Sequence, residues 1–90
     1  SRPWIVPDGK TADGIELRYT QKDGALYAIL LATPNSEILT IEHYQGGQPR
    51  TVHLLGSDSP LRFEYQVDRL SVHLPANLPP SPAYTVKIVS

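Results

Sequence analysis

The chain has 90 residues, 40% of them hydrophobic, a formal net charge of -1 and no cysteine. That length supports one core and not two, and the charge lacks the basic excess that nucleic acid or an anionic membrane surface calls for. Without cysteine there are no disulfides, thiolate metal sites or cysteine nucleophiles, and no apolar run approaches the length that spans a bilayer. Methionine is absent as well, so a sequence opening Ser1-Arg2-Pro3-Trp4 is expected to be a processed product or a piece of something longer.

Residues 1–13 hold Pro3, Pro7, Asp8-Gly9 and Asp13-Gly14 with no sustained period, which reads as an extended linker ahead of a domain over 14–90. The first strand is Ile15-Glu16-Leu17-Arg18-Tyr19-Thr20, with Ile15, Leu17 and Tyr19 on one face and Glu16, Arg18 and Thr20 toward water. Asp23-Gly24, which tolerates the positive φ angles of a tight turn, leads into Ala25-Leu26-Tyr27-Ala28-Ile29-Leu30-Leu31 and closes a hairpin. In this second strand both faces are apolar, so Tyr27, Ile29 and Leu31 point to a strand buried on both sides or covered by a partner domain.

Thr33-Pro34-Asn35-Ser36 ends that strand, and Glu37 to His43 form a third. Gln45-Gly46-Gly47-Gln48-Pro49 separates it from a fourth at Thr51 to Leu55, and Gly56-Ser57-Asp58-Ser59-Pro60 follows. Leu61, Phe63, Tyr65 and Val67 alternate with Arg62, Glu64 and Gln66 in a fifth strand. Leu70, Val72 and Leu74 alternate in a sixth, with Asp68-Arg69 as the intervening turn. Pro75, Pro79, Pro80 and Pro82 make a rigid crossover to the last strand, Tyr84 to Val89.

Seven or eight short strands at regular spacing, with no helical period, predict an all-β fold: an antiparallel two-sheet β-sandwich with Greek-key-like connections. The prolines fall between strands, where no ladder hydrogen bond is lost. The expected core is Ile15, Leu17, Tyr19, Leu26, Ala28, Leu30, Leu39, Ile41, Val52, Leu54, Phe63, Tyr65, Leu70, Val72, Leu74, Val86 and Ile88.

Residues able to carry chemistry are scattered. His43, His53 and His73 are isolated in sequence on outward strand positions, with no carboxylate at ligand-like spacing, so no metal site is expected. The carboxylates lie mostly in turns or on polar strand faces, and none nominates a pair facing across a pocket as glycoside hydrolysis requires. There is no nucleophile elbow, phosphate-cradling glycine loop or cofactor motif. The rings Trp4, Tyr27 and Tyr44 remain as candidate surfaces, for a domain junction or for stacking on a sugar.

Several blocks, in order, resemble the carboxyl-terminal region of the α-L-fucosidases of glycoside hydrolase family 29. They are Arg2-Pro3-Trp4, the hairpin from Ile15 to Leu31, Val52-His53-Leu54-Leu55-Gly56, Leu61-Arg62-Phe63, Leu70 to Pro75, and Ala83 to Ile88. The chain departs from the family pattern at Ala32-Thr33-Pro34, at Phe63 and at the glycine-free turn Asp68-Arg69. The resemblance implies that residues 1–13 leave a (β/α)8-like catalytic barrel holding an aspartate nucleophile and a separate acid/base carboxylate, neither of which maps onto this chain. It implies a non-catalytic accessory domain with no cofactor. That domain would pack on the barrel through Trp4, Tyr27, Ile29, Leu31 or Tyr44, stabilise it and shape access to its site. The alternative is a module binding fucosylated glycans through its outward rings.

Overall fold

Asp23 and Gly24 adopt φ angles of 54° and 81°, and Lys22 pairs with Ala25 across them. This is the primed two-residue turn that the Asp-Gly dipeptide favours, because its twist matches that of the flanking strands. The computed structural model describes residues 8–34, 36–56, 59–76, 78 and 83–90.

Eight strands are present: β1 (Asp8–Lys10), β2 (Glu16–Lys22), β3 (Ala25–Leu30), β4 (Ile38–Tyr44), β5 (Thr51–Leu54), β6 (Phe63–Gln66), β7 (Asp68–His73) and β8 (Tyr84–Val89). They form a five-stranded sheet in the order β1-β2-β3-β8-β5 and a three-stranded sheet in the order β4-β7-β6. All the pairings are antiparallel. The chain passes between the sheets at β3–β4, β4–β5, β5–β6 and β7–β8. The first, third and fourth of these crossings lie at one end of the sandwich and β4–β5 lies at the other.

Leu17, Leu26, Ala28, Leu30, Leu39, Ile41, Val52, Leu70, Val72, Val86 and Ile88 are buried between the sheets, as their alternation requires, together with Ile15, Leu54 and Leu74. Tyr19, Phe63 and Tyr65, expected in the core, are half-buried and pack on its margin. Ala25, Tyr44 and Tyr84 join the core unannounced. Tyr84 shares the parity of Val86 and Ile88, whereas Tyr44 owes its position to a bulge. Leu39 and Ile41 alternate inward, so an unbroken strand would bury His43 next. Instead the register shifts between Glu42 and Tyr44, His43 takes a φ of 56°, and the extra residue exposes the imidazole and turns Tyr44 inward.

Two expectations are corrected. Asp8 to Thr11 lie within the sandwich, not in a linker. Gly9 pairs with Leu17, Thr11 bridges to Ile41, and the Ala12 N–H donates to the Thr40 carbonyl at 2.9 Å. Such an edge strand needs only backbone groups, so it shows no apolar period. Glycine suits it because a Cβ at Gly9 would meet the Tyr19 ring at 3.3 Å. The second correction concerns the β6–β7 turn, which is Val67-Asp68 and not Asp68-Arg69, since Gln66 pairs with Arg69. Asp68 holds a φ of 75°, a conformation that aspartate tolerates better than arginine. Partners therefore move by two residues, Tyr65 facing Leu70, and the inward face is preserved while Val67 is left 88% exposed.

Candidate docking surface

The two outer faces of the sandwich differ in chemistry. On the five-stranded sheet one row of cross-strand neighbours runs Thr20, Tyr27, Lys87, His53, and the next runs Arg18, Ile29, Thr85. Tyr27 and Ile29 are half-buried at the centre of this face, and the Lys87 Nζ sits 6.0 Å from the centroid of the Tyr27 ring, within reach of a cation–π attraction. Leu31 follows β3 on the same face and is 40% exposed. Its N–H donates to the Glu16 carbonyl at 3.0 Å, which fixes the backbone and leaves the side chain to solvent.

On the three-stranded sheet the outer rows are Glu42–Arg69–Gln66, Thr40–Ser71–Glu64 and Ile38–His73. Arg69 Nη2 lies 3.5 Å from Glu42 Oε1, and His73 Nε2 lies 3.1 Å from Glu64 Oε1. This face meets its polar demands within itself and suits water.

The structure separates the sequence-predicted site residues. Tyr27, Ile29 and Leu31 share one face of β3 and its extension. Tyr44 is 2% exposed, edge-on to Tyr65 at a centroid distance of 6.1 Å and an interplanar angle of 80°, so its ring is core material and offers no outer platform. Trp4 lies outside the described residues. Burial pushes the Tyr19 phenol up to about 12. Burial, then the neighbouring phenols of Tyr65 and Tyr19, push Tyr44 higher still. Both stay protonated at neutral pH, where neither can act as a base. Among the described residues no group of three or more histidines and carboxylates is placed to hold a metal ion.

Sequence reading missed Ile38, 45% exposed, and Leu55, 52% exposed. Parity held a signal for both: Leu55 continues the outward series Thr51, His53, and Ile38 falls on the face of Thr40 and Glu42. Two shallow depressions lie among the described residues. One of about 280 Å³ is lined by residues including Thr33, Pro34, Glu37, Pro75 and Leu78. The other, of about 340 Å³, surrounds the bulge and turn with Glu42, His43, Asp68 and Arg69 on its walls.

Residues 12–89 match the α-L-fucosidase C-terminal domain. The chain belongs to that family. Its fold is also that of a segment of solved fucosidase structures. The Thermotoga maritima α-L-fucosynthase is 27% identical with a TM-score of 0.83, over 96% of this chain and 20% of that one. The Thermotoga maritima α-fucosidase is likewise 27% identical with a TM-score of 0.84, over 96% of this chain and 21% of that one. The same enzyme in complex with fucose aligns at 25% identity and a TM-score of 0.82, over 98% of this chain and 21% of that one. No curated protein sequence matches significantly. This fucosidase C-terminal domain therefore spans about a fifth of the length of the solved chains it resembles.

Proposed function

We propose that this chain is the carboxyl-terminal accessory domain of an α-L-fucosidase, packing on a (β/α)8-like catalytic domain, stabilising it and shaping access to its site. Family membership and the one-fifth coverage of fucosidase chains support this reading. The observation that carries it is the asymmetry of the outer faces. The face whose polar side chains pair with one another is suited to solvent, while the opposite face sets Tyr27, Ile29 and Leu31 around β3, where water contact is least favourable.

The role is non-catalytic, so the 90-residue chain is expected to leave an aryl α-L-fucoside unhydrolysed. Turnover that disappears on replacing one of its carboxylates would overturn the proposal. In the full-length enzyme, removal of residues 8–90, β1 included, is expected to lower the midpoint of thermal inactivation, and an unchanged midpoint would count equally against the stabilising role.

A further inference from the structure

Two open sheets have four edges, and three of them are blunted. On β4, Thr11 bridges to Ile41 and the Ala12 N–H donates to the Thr40 carbonyl. On β5, Pro60 bridges to His53 and the Leu61 N–H donates to the Val52 carbonyl at 2.7 Å. β1 is three residues long with glycine at its centre. The fourth edge, β6, is Phe63-Glu64-Tyr65-Gln66, and its register against β7 runs unbroken. It lacks the proline, lysine or bulge that commonly keeps an edge from pairing, and among the described residues no strand lies on its outer side.

The direction of its peptide groups follows from the ladder. The His73 N–H donates to the Arg62 carbonyl at 2.8 Å, so Arg62, Glu64 and Gln66 turn their backbone groups toward β7. The N–H and C=O groups of Phe63 and Tyr65 therefore point away from the sheet. Val67, next in the same parity, stands at the turn with its side chain 88% exposed.

We propose that β6 pairs antiparallel with β6 of a second copy of this chain, about a two-fold axis at Tyr65. The sequence of the edge selects both the occupant and the register. An axis at Glu64 would set the two Glu64 carboxylates opposite each other, and one at Gln66 would set Glu64 against Asp68. An axis at Phe63 would need the Leu61 N–H, which is committed to Val52. With the axis at Tyr65, Arg62 faces Asp68 of the second copy, Glu64 faces Gln66, and Phe63 faces the exposed Val67. Opposite charges meet twice by symmetry, no like charges do, and two three-stranded sheets become one of six. So short an edge makes a weak pair that separates on dilution. The pairing draws only on residues of this chain and is independent of the accessory role.

The test measures self-association of the full-length protein by sedimentation over a range of concentrations. Gln66→Glu, which places a like charge opposite Glu64 twice, is expected to raise the dissociation constant by roughly three- to tenfold, and Gln66→Lys to lower it. Position 66 is exposed, and thermal midpoints check that both variants fold. Equal constants for the three proteins, or the reverse order, would overturn the proposal. A monomer at every concentration would overturn it as well, and is the result if a segment of the same polypeptide occupies the edge. A second measurement fixes the register. Residues 64 and 66 face each other at non-hydrogen-bonded positions, with Cα atoms about 4.5 Å apart, a span a disulfide bridges. Glu64→Cys with Gln66→Cys is expected to give a reducible covalent dimer in air, and Gln66→Cys alone to give none. No covalent dimer from the double variant, or equal yield from Glu64→Cys alone, would overturn this register.

Discussion

Tyr44 closes over Gly46 so tightly that a Cβ added there would lie 2.6 Å from the Tyr44 Oη, 2.8 Å from Cζ and 2.9 Å from Cε1. The bulge at His43 turns the tyrosine inward, and the absence of a side chain two residues later leaves it room. Gly46→Ala is expected to cost roughly 1–3 kcal/mol, the usual penalty of overpacking, measured by urea denaturation. Tyr44→Phe should not rescue it, because the ring carbons remain too close after the hydroxyl is gone. Recovery in that double variant would show that the ring is free to move aside.

Alkaline pH should unfold the domain through the same neighbourhood. A tyrosine whose phenol binds its proton more tightly folded than unfolded contributes stability that is complete below the unfolded value of about 10. That contribution is lost as pH rises through the folded value. For Tyr19 the window runs from about 10 to about 12, and Tyr44 extends it upward. Thermal melts should therefore fall steeply above about pH 10, and less steeply in Tyr19→Phe. A parallel fall in that variant would remove Tyr19 from the account.

The register of the second hairpin is tested by Val67→Lys. With the turn at Val67-Asp68 the side chain is in solvent, and the substitution should change stability by no more than about 0.5 kcal/mol. A turn at Asp68-Arg69 would set residue 67 beside Leu70 on the apolar face, where a lysine would cost several times more.

Asp68 holds a φ of 75° and His43 a φ of 56°, both in the region that disfavours side chains. Asp68→Gly is expected to raise stability by up to about 1 kcal/mol, as relief of left-handed strain outweighs glycine's added freedom in the unfolded chain. Asp68→Val should lower it, and the paired midpoints in denaturant decide the matter.

Much of the fold was legible because its determinants are local. Asp23-Gly24 reads as a primed turn from two residues, and the alternations through Leu17, Leu70 and Val72, and Val86 and Ile88 name the inner face directly. What stayed hidden depends on partners far along the chain. The strand at Asp8–Lys10 is held by backbone pairing that no side-chain pattern records. The bulge at His43 inverts parity without any glycine to mark it, so Tyr44 read as an outer ring when it is core. For the docking surface, Tyr27, Ile29 and Leu31 stood out because both faces of their strand are apolar. Ile38 and Leu55 did not, since exposure at the end of a sandwich is settled by how loops from two sheets meet.

The position of β8 also constrains the order of events in time. It lies between β3 and β5 and pairs with both, joining Ala25 to Val89 and Leu30 to Tyr84. Until residues 84–89 have left the ribosome, the five-stranded sheet is two separate fragments with unpaired edges. The domain must therefore fold late, by contacts distant in sequence and so slowly. Meanwhile any segment translated ahead of it has time to become a finished surface on which the sandwich completes itself.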